Sequence, residues 1–111
     1  FMGGAIQRGA SGVSGEIGHV AIDPRGELCV CGNRGCLTTL VGGHALVARA
    51  KALRNRFPRS ELTTGPITLT RLEQAAMHDD PLALQVVHEA AEYLGIAVAG
   101  VLNLLNPAAV I

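Results

Sequence analysis

Three cysteines fall within eight residues, Cys29, Cys31 and Cys36, in the order Cys-x-Cys-Gly-x-x-Gly-Cys, and His19 precedes the first of them by ten positions. Thiolates are soft ligands, and three of them with one imidazole form a tetrahedral Cys₃His set suited to zinc. An odd cysteine count argues against a closed disulfide set, and Cys29 and Cys31 are too near in sequence for an unstrained bridge. Two other readings stay open at this level. The thiols could be ordinary reduced core residues, although they sit in turn chemistry rather than on an apolar face. They could form a redox pair, although the thioredoxin-type Cys-x-x-Cys spacing is absent. If the quartet holds zinc, all four positions are filled by protein, so the metal is expected to be structural rather than catalytic.

Such a set needs a chain that folds back on itself, and the surrounding sequence supplies the means. Residues 9–18 carry glycines at positions 9, 12, 15 and 18 and read as a loop whose backbone can approach a ligand. Residues 19–22 alternate weakly and suit a strand. Asp23-Pro24-Arg25-Gly26 has turn chemistry that would return His19 toward the cysteines. Gly32 and Gly35 let Cys36 reach the same point. Gly3-Gly4, between Phe1-Met2 and Ala5-Ile6, reads as a hairpin turn.

Three helices are expected after the cysteines. Leu46, Ala50, Leu53 and Phe57 make the apolar stripe of the first. Thr70 and Glu73 suggest a capping box for the second, ahead of Leu72, Ala75, Ala76 and Met77. Asp80 is a natural N-cap for the third, with Pro81 at its first position. This last helix has the apolar stripe Leu84, Val87, Ala91, Leu94, Val98, Val101, Leu102 and Leu105, with Gln85, His88, Glu89, Glu92 and Asn103 opposite, and ends at Asn106-Pro107. It should pack on a sheet. Residues 58–66 read as a polar connector, and residues 108–111 as the beginning of a strand.

The chain has 111 residues, 49% apolar but only 3% aromatic, with nine basic and nine acidic side chains. That is one small domain with a Leu, Val, Ile and Ala core, and its zero net charge gives no general attraction to nucleic acid or anionic lipid. The basic run Arg49, Lys51, Arg54, Arg56 and Arg59 reads as a solvated helix flank. No signal peptide is supported, and Asn103, Asn106 and Pro107 break the uncharged stretch from position 93 onward, so no membrane segment is expected. A cytoplasmic chain that is part of something longer is the expectation.

The string Gly15-Glu16-Ile17-Gly18-His19, nine further residues, then Cys29-Val30-Cys31-Gly32-Asn33-Arg34-Gly35-Cys36-Leu37 resembles the signature of the ROK family of bacterial sugar kinases and sugar-responsive transcription regulators. Arg8-Gly9-Ala10-Ser11-Gly12 and the stretch from Leu94-Gly95 to Asn106-Pro107 extend the resemblance over essentially the whole chain. It implies an α/β fold: a partial actin-like, ribonuclease-H-like domain with a zinc-knuckle loop and three or more helices. Residues 1–111 would be a truncated part of one C-terminal domain, with the zinc and sugar signature at 15–38. It also implies that His19, Cys29, Cys31 and Cys36 bind structural zinc and that Glu16 and His19 hydrogen-bond sugar hydroxyls. Without the signature, Glu16 would be read as a helix cap or a solvated carboxylate. Where the family pattern continues Leu-Glu after the last cysteine, this chain has Leu37-Thr38. Thr38 offers only a hydroxyl, so sugar affinity is weakened, retuned or lost.

The family's kinases need an Asp-x-Gly-x-Thr phosphate loop and an Asp in an Asn-Asp pair, and none of Glu61, Glu73, Asp79, Asp80, Glu89 or Glu92 sits in such a motif. ATP binding and phosphoryl transfer are therefore not expected of this chain alone. The expected function is the sugar-sensing portion of a transcription regulator. The same portion of a sugar kinase, and a zinc scaffold without sugar binding, are the alternatives. The resemblance implies a homodimer that meets DNA only through a separate N-terminal winged helix-turn-helix domain.

Overall fold

A computed structural model describes residues 4–109. Four helices account for nearly half of it: α1 (Leu37–Val41), α2 (Gly43–Leu53), α3 (Leu69–Met77) and α4 (Pro81–Leu105). Short 3-10 turns occupy Ile17–His19, Arg54–Arg56 and Glu61–Thr63. Among the described residues there is no strand, and isolated antiparallel bridges join Ala21 with Cys36 and Leu28 with Arg34. The sheet side of the expected α/β fold is thus not found within these residues. The hairpin expected at Gly3-Gly4 depends on residues 1–3, and the final strand on residues 110–111, which lie outside the described part.

The strand expected over residues 19–22 is corrected. Its backbone N–H groups at Ile22 and Asp23 both donate to the Gly35 carbonyl, at 2.8 and 3.1 Å, so the segment meets the returning chain for one bridge and then turns. The turn itself is as expected. Gly26 N–H donates to the Asp23 carbonyl at 2.9 Å, and Arg25 N–H to the Asp23 side chain at 2.9 Å.

One core forms where α2, α3 and the start of α4 meet. Ala50, Leu53, Leu62, Ile67, Leu72, Ala75, Leu82, Ala83 and Val86 are buried in it, with Leu46, Val47, Phe57 and Ala76 packed against them. The first expected helix is α2, and Phe57 reaches the core from just beyond the 3-10 turn that follows it. The second expected helix starts earlier than its apparent capping box. Thr68, not Thr70, is the N-cap of α3, its hydroxyl accepting from Arg71 N–H at 3.3 Å. Ile67 and Leu72 then stand at the positions of a hydrophobic staple, and both are buried. Burial of that pair, rather than local polar chemistry, sets the register.

Residues 58–66 are less of a connector than their composition suggests. Leu62 is fully buried, and Ser60 is buried beside it. Arg54 donates to the Leu62 and Gly65 carbonyls at 2.9 and 2.6 Å, and Arg71 donates to the carbonyls of Glu61, Thr64 and Pro66. The segment's backbone is therefore satisfied by two guanidinium groups instead of a sheet. Arg49, also from the basic run, pairs with Glu89. That leaves the run divided between structural contacts and solvent.

Helix α4 begins as the sequence indicates, with Pro81 at its first position and the Asp80 carboxylate accepting from Leu82 and Ala83 N–H, both at 3.0 Å. Its covered face is not the expected stripe. Leu82, Ala83, Val86 and Ala97 are buried, whereas Val87, Leu94, Leu102 and Leu105 are 40–52% exposed. The two faces lie roughly 100° apart around the helix. By length and composition α4 is apolar enough to cross a membrane, with a mean hydropathy of 1.2 over its richest 18 residues. Its first half nonetheless packs against the other helices, and two adjoining apolar faces are what a helix enclosed by protein on both sides requires.

Candidate metal centre and its flanking polar residues

The glycine-rich run before the centre is an exposed loop, closed by Ser14 N–H donating to the Arg8 carbonyl at 3.1 Å, with Gly9, Gly12 and Gly15 all at positive φ. The 3-10 turn Ile17–His19 follows and aims the His19 ring inward. On the returning side, Gly32 N–H donates to the Cys29 carbonyl at 2.9 Å and Cys29 N–H to the Asn33 carbonyl at 2.7 Å, which closes a tight knuckle. Leu37 N–H then donates to the Val20 carbonyl at 2.9 Å, fastening the start of α1 beside the histidine turn.

Two glycines make the crossing possible. Gly35 has φ +59°, and a Cβ there would lie 1.7 Å from the Asp23 carbonyl oxygen. A Cβ on Gly26 would lie 2.7 Å from Gly35 Cα. Sequence reasoning gave Gly35 a role in folding the chain back, but the contact with Asp23 joins segments twelve residues apart and no local signal announces it.

All four expected ligands come together. The nearest ligand atoms of His19, Cys29, Cys31 and Cys36 lie within 4.8 Å of one another. Cys29 Sγ is 3.4 Å from His19 Nδ1, and Cys31 Sγ is 3.5 Å from Cys36 Sγ. Zinc–sulfur bonds of about 2.3 Å and zinc–nitrogen bonds of about 2.05 Å, set tetrahedrally, place sulfur about 3.8 Å from sulfur and about 3.6 Å from nitrogen. The donor set fits a zinc-sized dication. Cys29 and Cys36 are buried and Cys31 is exposed. None of the three is in a disulfide.

The thiols differ electrostatically. A backbone hydrogen bond from Asn33, followed by one from the Cys36 thiol, brings Cys31 down to about 7. Burial pushes Cys36 up to about 12, and its hydrogen bonds to Cys31 and Cys29 add to the rise. Three thiolates packed this closely repel one another, so full ionisation of the set calls for a cation at its centre.

Glu16 stands exposed at the N-cap of the histidine turn, and its side chain makes no capping hydrogen bond. Of the two plain readings of this carboxylate, the helix cap is absent, and its exposure is that of a solvated loop carboxylate. Thr38 is exposed on the first turn of α1, and a Cβ built on Gly18 would be 3.6 Å from Thr38 Cβ. Glu16, His19 and Thr38 thus belong to one small region, where the histidine turn meets α1. A separate cleft of about 650 Å³ opens between α1, α2 and α4, lined by Thr39, His44, Arg49, Glu89 and Tyr93 among others, but by neither Glu16, His19 nor Thr38. On its wall Arg49 grips Glu89 at 2.6 and 3.1 Å, which holds the Glu89 carboxyl below its usual range.

The description of the ROK family matches residues 1–111, the full length of the chain. The chain belongs to the ROK family. Its relatives include both regulators and kinases. It is 36% identical over 104 residues to the DNA-binding transcriptional dual regulator NagC of Escherichia coli, covering 94% of this chain and 26% of NagC. Among solved structures it resembles a ROK transcriptional regulator described as a homolog of the E. coli Mlc protein, with 40% identity and a TM-score of 0.80 over 94% of this chain and 26% of that one. It also resembles the ROK glucokinase of Streptomyces griseus, solved with glucose and AMPPNP, at 32% identity and a TM-score of 0.81 over 93% of this chain and 36% of that one. The chain therefore spans about a quarter to a third of the length of these ROK proteins.

Proposed function

We propose that this chain is the zinc-containing, sugar-sensing portion of a ROK transcription regulator, and that it forms part of an actin-like C-terminal domain. The observation that carries the reading is the His19, Cys29, Cys31 and Cys36 cluster, with Glu16 and Thr38 flanking the same histidine turn. Zinc bound there supplies no reaction and acts as a cross-link. His19 faces Cys29 through Nδ1, which leaves Nε2 as the nitrogen free to hydrogen-bond a sugar hydroxyl. Glu16 accepts hydroxyl protons, and Thr38 contributes a neutral hydroxyl where a family member with glutamate would offer a second carboxylate.

Thr38 favours the regulator over the kinase. Phosphoryl transfer depends on holding the acceptor hydroxyl in a narrow range of positions, and loss of a charged sugar contact loosens that hold. A sensor needs only a difference in affinity between two states. In the complete protein, DNA would be met by another domain and the active form would be a homodimer. The glucokinase similarity supports a second reading, the corresponding portion of a sugar kinase.

Elemental analysis of the purified full-length protein is expected to give about one zinc per chain. Chelation should lower amide-exchange protection across residues 19–38 while leaving α2 and α3 protected. Absence of zinc from protein with its thiols intact overturns the metal assignment. Isothermal titration with hexoses and N-acetylhexosamines tests the sugar. Binding that disappears in Glu16→Gln supports sensing, whereas no heat with any sugar leaves a zinc scaffold.

A further inference from the structure

The four ligands are not equally protected. Cys29 and Cys36 are buried, but Cys31 is exposed, and its sulfur lies 3.5 Å from that of Cys36. Cys36 is also the N-cap residue of α1, and its thiol is directed at the His19 carbonyl, 3.5 Å away. One accessible sulfur therefore adjoins a buried sulfur that joins the metal cluster to the segment carrying Thr38.

We infer that the cluster is a peroxide-sensitive switch, in which Cys31 is oxidised first and closes a disulfide with Cys36, releasing the metal. The inference rests on the zinc reading above. The chemistry needs one hydrogen peroxide per cluster. The Cys31 thiolate attacks a peroxide oxygen, the O–O bond breaks, and one proton is taken up, giving a sulfenic acid and water. The Cys36 thiolate then attacks the Cys31 sulfur. The S–S bond forms, the S–O bond breaks, and the departing hydroxide takes a second proton to leave as water. Two sulfurs have lost two electrons in total and the peroxide has gained them. Only His19 and Cys29 then remain as ligands, too few to retain zinc against solvent.

Of the two other pairings, Cys29 with Cys31 is disfavoured by the chain itself, and Cys29 with Cys36 would join two buried sulfurs and leave out the accessible one. Cys29 and Cys31 are separated by one residue, a spacing that strains a bridge, whereas four residues, the positive-φ glycines Gly32 and Gly35 among them, separate Cys31 from Cys36. The sensitive point is also coupled to the sugar region. Cys36 lies two residues before Thr38, and the Leu37 N–H bond to the Val20 carbonyl ties α1 to the histidine turn.

The test uses zinc-loaded full-length protein treated with hydrogen peroxide, with a chromophoric chelator to report free zinc and peptide mass spectrometry to map bridges. The expected result is stoichiometric zinc release together with a Cys31–Cys36 disulfide that thiol reductant and added zinc reverse. Zinc retained after peroxide treatment overturns the inference, as does release accompanied by a Cys29–Cys31 or Cys29–Cys36 bridge or by irreversible sulfinic acid alone. Cys31→His keeps four ligands without the accessible thiol and is expected to release zinc about tenfold more slowly or less. Equal release rates also overturn the inference. Failure of the protein to bind zinc at all is a failure of the earlier metal assignment, and it is recognised before peroxide is added.

Discussion

Gly35→Ala is expected to weaken the knuckle severely as a metal site, cutting zinc affinity by about 100-fold, at the upper end of what loss of a supporting contact costs. Two effects combine. At φ +59° any other L-residue carries about 1–2 kcal/mol of backbone strain. The second effect is larger. The new methyl would lie 1.7 Å from the Asp23 carbonyl oxygen, less than half an ordinary contact, and backbone on both sides must separate to admit it. Separation breaks the bonds from Ile22 and Asp23 N–H to the Gly35 carbonyl, and it carries Cys36 away from His19. Gly32→Ala is the matched control. Its φ is +89°, but nothing lies within 4 Å of the added methyl, so it should cost only the strain of about 1–2 kcal/mol and keep its zinc. Zinc titration with a competing chelator separates the two variants. Equal affinities would show that the crossing of the two segments does not hold the ligands in place.

The second large effect is expected at Asp80. One carboxylate oxygen accepts from the Ser60 hydroxyl at 2.8 Å and from Leu82 and Ala83 N–H at 3.0 Å, while the other accepts from Glu61 N–H at 2.8 Å. Ser60 in turn caps the Glu61–Thr63 turn, its oxygen accepting from Leu62 N–H at 3.0 Å. A single buried anion thus closes two element ends. Asp80→Ala removes a helix cap and leaves buried donors without partners, a loss of about 3–4 kcal/mol. That is a large fraction of the roughly 5–15 kcal/mol by which domains are stable. Asp80→Asn keeps an acceptor for α4 but can set an amide against Glu61 N–H, and should cost about half as much.

The same site makes stability depend on acid. Burial opposes the Asp80 charge, but the hydrogen bonds from Ala83, Ser60, Glu61 and Leu82 outweigh it and hold the carboxyl below its ordinary value. Because the folded value lies below the unfolded one, the contribution is complete above about pH 4, the unfolded carboxyl's range, and fades as pH falls through the folded value. Urea unfolding between pH 7 and pH 3 should show a smaller decline for Asp80→Asn than for the wild type. Identical declines would assign the acid sensitivity to other carboxylates.

Legibility from sequence followed the range of the interactions. The four metal-ligand candidates were readable because ligand chemistry restricts residue types, and the structure brings all four to one point. Asp80 and Pro81 were readable because caps act within three residues. The register of α3 was not, since Thr70 with Glu73 satisfies the local pattern as well as Thr68 does, and the decision came from burying Ile67 and Leu72. Residues 19–22 looked like a strand because alternation records side-chain pattern but not whether a partner strand continues. The polar composition of residues 58–66 concealed Leu62, whose burial depends on α3 and on the arginines that satisfy the backbone around it.

The second apolar face of α4 changes what a mutational scan of this segment will look like. Positions such as Val87, Leu94 and Leu102 are accessible here and would be scored as tolerant if tolerance were read from exposure. The helix instead resembles a party wall, whose two sides must both suit their rooms. In the full-length protein, polar replacements at these three positions are expected to lower soluble expression about as much as replacements at Leu82 or Val86. Tolerance along α4 will then be confined to the narrow edge carrying Gln85, His88 and Glu92.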